Sequence, residues 1–241
     1  MLKVILACLV GLAVALLVTP QTKKLAMKLG VFDAPDARKV HKKPMTRMGG
    51  LGIYCGFLAG FLVYGDFSRE MLGLMLSCSF VVAVGFYDDV KNISPKLKFL
   101  GQIVAACILM AFGVHLEYFS IPFTDTIIDM GFFGYVISLL WLVGVCNAVN
   151  LIDGLDGLAG GVSAIAALSL GVVTYAGGLS VVAALCVILF GSILGFLRWN
   201  FNPAHLFMGD CGSLLLGFLL AVYKSICTIT VDSVHNTLIF R

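Results

Sequence analysis

The chain has 241 residues, 60% of them hydrophobic and 12% charged, with a formal net charge of +3. Its mean hydropathy is +1.04. A charged share about half that of soluble proteins excludes an ordinary soluble globule, a disordered chain and a nucleic-acid-binding domain, and leaves a polytopic membrane protein.

Apolar runs occupy residues 2–20, 49–64, 71–87, 99–116, 131–149, 159–177, 179–197 and 213–230. They lack the period-two alternation of a membrane barrel, and backbone groups in lipid must pair internally, so the runs are predicted to be helices. The predicted fold class is all-α: a polytopic integral membrane protein of about eight transmembrane helices in a single membrane-embedded domain, residues 1–241. The first run has only Lys3 ahead of it and no small-residue cleavage site, so it reads as a retained helix and not a removed signal peptide. Gly56 and Gly60, and Gly191 and Gly195, stand four apart and permit close helix packing. Seven of the eight cysteines lie in apolar runs and none forms a CxxC pair, so they read as small packing residues.

With eight crossings, loops 21–48, 88–98, 150–158 and 198–212 share a side, opposite 65–70, 117–130 and the turn near Gly178. The first set holds twelve of the sixteen lysines and arginines, which places it in the cytoplasm and the N-terminus outside. The same loops carry Asp33, Asp36, Asp88, Asp89, Asp153, Asp156 and Asp210. Ionisable groups close to span ends are costly unless they serve a site.

Four polar clusters follow in chain order. Residues 38–50 put five cations, Lys43 among them, and His41 just before Gly49 and Gly50, a patch suited either to phosphates or to a topology signal alone. Asp88 and Asp89 are adjacent carboxylates whose repulsion a divalent cation or one raised pKa would relieve. Lys96 and Lys98 follow and could meet phosphate, with Lys96 taken as the contact. In the third cluster Asn147, Asn150, Asp153 and Asp156 recur every three residues. A straight helix cannot aim all four at one ligand, but Gly154 and Gly157 let the chain break and redirect the aspartates. The DGLDG run resembles a calcium-loop fragment, yet the twelve-position loop with its closing Glu is absent. The fourth cluster, residues 198–213, offers Trp199, Asn200, Asn202, Phe207 and Asp210, aromatics and amides suited to a planar base beside an acid. Together the clusters imply a cytoplasmic-side site for a nucleotide-linked substrate.

The stretches RKVHKKPMTRMGG, GFYDDVKNISPKLKFLGQ, NAVNLIDGLDGLAGG and NPAHLFMGDCGSLLLG resemble, in order and spacing, the polyprenyl-phosphate N-acetylhexosamine-1-phosphate transferases. The basic run before MGG is more similar to the GlcNAc branch than to the branch using UDP-MurNAc-pentapeptide. The resemblance implies that GlcNAc-1-phosphate passes from UDP-GlcNAc to undecaprenyl phosphate with release of UMP, the first membrane step of a cell-envelope polysaccharide or teichoic-acid pathway. It implies Mg²⁺ as cofactor, with Mn²⁺ as a substitute. It also implies the lipid bilayer and a homodimer as partners, no nucleic acid, and a multi-pass place in the inner (plasma) membrane. By motif position Asp88 is similar to the family's proposed base for the lipid phosphate, with Asp89 its neighbour and Asp153 a third catalytic carboxylate. Asp153 and Asp210 resemble metal or pyrophosphate-site ligands. Asp156, Asn200 and Phe207 fall where uridine is recognised, Phe207 as the stacking face, with Asn150, Lys43 and Lys96 as further substrate contacts.

The family continues through further spans to a loop bearing a histidine cluster, whereas this chain ends at Arg241 with His235 in VHN. The expectation is therefore a chain incomplete at its C-terminal end, with weak turnover or none. Three alternatives remain: the MurNAc-pentapeptide transferase, an inactive remnant, and a transporter. The last would need acids buried mid-span, where the runs have almost none. The five aspartates 88, 89, 153, 156 and 210 are expected to converge on one cytoplasmic-side cleft.

Overall fold

A computed structural model describes residues 1–33, 45–120 and 127–239. Among the described residues each apolar run is a helix: α1 (Leu2–Leu29), α2 (Gly50–Tyr64), α3 (Arg69–Lys91), α4 (Pro95–Ala111), α5 (Gly131–Ile152), α6 (Leu158–Ala176), α7 (Ser180–Asn200) and α8 (Asp210–Ile239). Two short antiparallel ladders complete the description, β1 (Phe32–Asp33) with β2 (Met45–Thr46) and β3 (Tyr118–Ser120) with β4 (Ile127–Asp129). The fold is all-α and the chain is a multi-pass membrane protein. By length and apolarity α1, α3, α5, α6 and α7 can cross a membrane. The 15 residues of α2 reach only ~22 Å at 1.5 Å each, short of a ~30 Å hydrocarbon core.

Helix ends and apolar ends differ. Helix α1 runs to Leu29 and stops where Gly30 turns left-handed, at φ 69°. Helix α3 carries Asp88 and Asp89 within its last turn and ends at Asn92, φ 49°. Only three residues separate it from α4, which Ser94 caps by accepting from the Leu97 amide and Pro95 opens. Hydropathy marks where lipid would end; the backbone stays helical until a residue tolerates the αL turn or removes an amide.

Helix α8 is the hub. Leu214, Leu215, Leu216, Phe218, Leu219, Val222 and Tyr223 are all fully buried, on every side of the helix, as a helix apolar all round must be. It packs against α3 and α5 most extensively, with α2, α6 and α7 completing the ring. Its N-terminus therefore lies among the end of α3, the start of α4 and the end of α5.

Helix α1 lies between α2 and α7. A Cβ on Gly56 would come 2.5 Å from Gly11 O, one on Gly191 2.6 Å from Cys8 O, and one on Gly195 would collide with Leu12 O. These helices meet backbone to backbone, and overpacking such a contact costs ~1–3 kcal/mol. Gly195→Leu is expected to lower the apparent melting temperature in detergent by several degrees. Gly144→Ala, in α5 where nothing lies within 4 Å, should cause no loss. Equal melting of the two variants would show that the α1–α7 contact does not limit stability.

Candidate active site

The site is assembled from helix ends. Asp88 lies in the last turn of α3, where its Oδ1 accepts from the Ile93 amide at 2.9 Å and is held over the α3–α4 turn. Lys98, one turn into α4, reaches back. Its Nζ lies 3.1 Å from Asp88 Oδ2 and 2.7 Å from Asp210 Oδ1, and donates to Asn150 Oδ1 at 3.2 Å. An ammonium has three donors, and these three acceptors use them all. Asn150, from α5, donates from Nδ2 to Asp210 Oδ1 and, at 2.8 Å, to Ser213 Oγ. Four elements thus close on one cation.

Asp89 is 4% exposed, and both its oxygens serve the backbone. Oδ1 accepts from the Asp210 amide at 2.9 Å and Oδ2 from the Cys211 amide at 3.1 Å. A carboxylate against the first amides of α8 satisfies unpaired donors and meets the positive end of the helix dipole. Gly209 makes the approach possible: it sits at φ 75°, and a Cβ there would stand 2.7 Å from Asp89 Oδ2. Asp89, expected among the catalytic carboxylates, thus also fixes the backbone at Asp210.

The break predicted in the third cluster is present. Asn147 and Asn150 lie on α5, Asp153 caps it, and Gly157 at φ 71° starts α6. Burial, then the charges of Asp210 and Asp89, push the Asp153 carboxyl up to about 7. Burial also pushes Asp210 up, but its hydrogen bonds with Asp88, Lys98 and Asn150 prevail and hold it below the usual carboxylate range. Burial favours neutral Lys98, but Asp210 and Asp88 outweigh it and keep the ammonium charged.

A second set fastens the turn after α5 to the segment before α8. Asp156 Oδ2 accepts from the Ala204 amide at 3.0 Å. Asn200, 3% exposed, accepts from the Gly157 amide at 3.1 Å and donates to Leu206 O at 3.0 Å. Its amide thus bridges two backbone segments with one of its hydrogens and one oxygen lone pair. Phe207 is half-buried. Its amide donates to Thr46 O at 2.8 Å and its carbonyl accepts from the Gly49 amide at 3.0 Å, fixing its backbone against the entry of α2.

The sequence-predicted residues therefore fall at one end of the bundle in two neighbouring groups, joined through Met208, Gly209 and Asp210. Asp88, Asp89, Asn150, Asp153 and Asp210 form the acid centre, and Asp156, Asn200 and Phe207 the adjoining loop layer. Lys96, the expected phosphate contact, is exposed, because two residues along a helix is more than half a turn away from Lys98; Lys98 is the lysine that joins the acid centre. Lys43 and the rest of the basic run at 34–44 lie outside the described residues. Ser213, which accepts from Asn150, is a site residue that the motif reading does not include, although the i, i+3 step from Asp210 is a sequence signal for a shared face.

The donor chemistry fits a hard divalent cation. With Asp89 matched to the α8 amides, Asp88 and Asp210 share one ammonium, and Asp153, its carboxyl pushed up to about 7 by burial and by the charges of Asp210 and Asp89, would gain its full charge beside a bound cation. Among the described residues no three His, Cys, Asp or Glu side chains stand close enough to hold a metal ion alone. Mg²⁺ usually takes one or two carboxylates and completes its shell with water and substrate phosphate, and Asp153 and Asp210 are the carboxylates that would serve.

The pattern of glycosyl transferase family 4 matches residues 71–228, which include every described residue of the acid centre. The chain belongs to that family. It is 40% identical over 238 residues to a Bacillus subtilis protein named as a probable undecaprenyl-phosphate N-acetylglucosaminyl 1-phosphate transferase, covering 96% of this chain and 66% of that one. It is 39% identical over 213 residues to the phospho-N-acetylmuramoyl-pentapeptide-transferase of Listeria innocua, covering 81% and 65%. It is 35% identical over 234 residues to the decaprenyl-phosphate N-acetylglucosaminephosphotransferase of Mycolicibacterium smegmatis, covering 88% and 58%. The chain thus spans roughly two thirds or less of the length of these relatives.

Proposed function

We propose that this family member transfers GlcNAc-1-phosphate from UDP-GlcNAc to undecaprenyl phosphate and releases UMP. The observation that carries the reading is the Lys98 ammonium held between Asp88 and Asp210 where four helix ends meet. A lipid-phosphate oxygen attacks the phosphorus that bears the sugar, the bond between the two nucleotide phosphates breaks, and UMP leaves with that electron pair. Both reactants are anions, so positioned cations are the main requirement of such a centre. Asp88, at the outlet of α3, takes the proton of the lipid phosphate. Lys98 offsets charge at the reacting phosphates, and Asp153 and Asp210 would hold Mg²⁺. Bound there, the metal would supply charge neutralisation between the two substrates.

The twelve cations on the shared loops support a topology of eight crossings with the N-terminus outside and this end of the bundle at the cytoplasmic face of the inner membrane. There a lipid-anchored acceptor and a soluble nucleotide can meet. The match over 96% of the chain to the GlcNAc-type relative supports GlcNAc over MurNAc-pentapeptide. The test is UMP release in membranes containing the protein, with either donor, with and without Mg²⁺ and lipid phosphate. Release that needs no lipid phosphate would refute the reaction, and release from the pentapeptide donor alone would refute the branch.

Phe207 is the proposed uracil platform. Base–aromatic stacking is worth about 1–3 kcal/mol, so Phe207→Ala should weaken UMP binding by roughly tenfold or more in calorimetry. Unchanged binding would remove Phe207 from the pocket.

A further inference from the structure

Behind the acid centre, one turn toward the middle of the bundle, lies a polar pair that the proposed reaction does not use. Lys98 and Gln102 stand four apart on α4, and Asn147 and Asn150 three apart on α5, so each pair shares a helix face. Gln102 is 2% exposed. Asn147 Nδ2 donates to Gln102 Oε1 at 2.6 Å, and Gln102 Nε2 donates back to Asn147 Oδ1 at 3.4 Å. The remaining amide hydrogen of Asn147 goes to Val143 O at 2.8 Å in its own helix. The helices are thus joined by two rungs, Lys98–Asn150 in the centre and Gln102–Asn147 behind it.

The rest of the buried face of α4 is Gly101, Ala105, Ala106 and Leu109. Gly101 receives Val84 of α3, whose Cγ1 would stand 2.7 Å from a Cβ there, while the alanines offer little side-chain grip toward α5. The amide pair supplies that grip: a one-residue slip moves α4 by 1.5 Å and 100°, separates Gln102 from Asn147 and costs the buried glutamine amide its partner. Lysine is a point charge on a flexible stem, so its place between two carboxylates depends on where its backbone is held. We propose that the Gln102–Asn147 pair is a positioning latch that sets α4 against α5 and so holds the Lys98 ammonium between Asp88 and Asp210. Gln102 touches no reacting group. The latch rests on the proposed transfer reaction for its importance, but not for its geometry.

The experiment pairs two readouts on the detergent-purified protein. The first is the rate at which acetic anhydride labels Lys98, followed by peptide mass spectrometry, which needs no catalysis. The second is kcat and KM for UMP release. Gln102→Met, close in length but unable to pair, should raise Lys98 labelling about tenfold. It should lower kcat by about ten- to a hundredfold, the scale of a ~1 Å misplacement, with KM for the nucleotide sugar within about twofold. Exchanging the partners, Gln102→Asn with Asn147→Gln, should bring labelling and kcat back to within about threefold of the parent. If Gln102→Met does not accumulate, Asn147→Ala breaks the same pair from α5 and is judged by the same figures. Parental labelling of Lys98 in the folded single variant overturns the latch, as does an exchange that restores nothing. If the parent protein releases no UMP, the labelling result alone decides the latch; UMP release that needs no lipid phosphate refutes the reaction and leaves the latch standing.

Discussion

Asp210→Asn is expected to lower UMP release at least ~10³-fold at ordinary magnesium, with partial recovery as magnesium is raised. Asp210 Oδ1 meets Lys98 Nζ at 2.7 Å and accepts from Asn150 Nδ2. An amide there offers one neutral oxygen in place of a charged pair, so it cannot both anchor the ammonium and ligate a hard cation. A thousandfold is about 4 kcal/mol of transition-state stabilisation, within the range of a single well-placed electrostatic partner. Fold and nucleotide binding should survive, because Asp89 caps α8 through the amides of residues 210 and 211, not through the Asp210 side chain. The check is a magnesium titration of UMP release beside calorimetry with UMP. Parental rates at low magnesium would remove Asp210 from the metal site.

Lys98→Ala should be comparably severe, and Lys98→Arg should not rescue it. The lysine places three donors on three acceptors around a point: Asp88, Asp210 and Asn150. Without it two carboxylates face each other without a shared cation, and the site gains a charge that repels both substrates. A planar guanidinium directs its donors in a fork and is longer, so it cannot reproduce that convergence. A loss of about a thousandfold in kcat/KM is expected for alanine, with arginine within about tenfold of alanine. Single-turnover UMP release is the measurement. Near-parental activity of Lys98→Arg would show that charge alone suffices, and that the three-acceptor geometry is incidental.

Much of this was legible in the chain because membrane helices are constrained one at a time. A long run without charges must satisfy its backbone internally, so the eight helices followed from hydropathy, and the break after Asn150 followed from the drift of a three-residue spacing together with Gly154 and Gly157. Side-chain partners were another matter. Asp88 and Asp89 are neighbours in sequence and look alike there, yet one faces Lys98 and the other caps α8, because successive helical residues point 100° apart. Lys96 and Lys98 look alike in the chain, and the rotation of α4 turns Lys98 into the acid centre and leaves Lys96 exposed. Asn200 reads in the chain as an amide for a base; that it also ties Gly157 to Leu206 is visible only in the fold. Spacing along one helix determines which residues share a face; which face meets which partner depends on helices distant in sequence. Here α8 made that choice. Its all-round apolar surface drives it to the centre of the bundle, and its first residue, Asp210, then becomes the point on which Lys98, Asn150 and Asp89 converge.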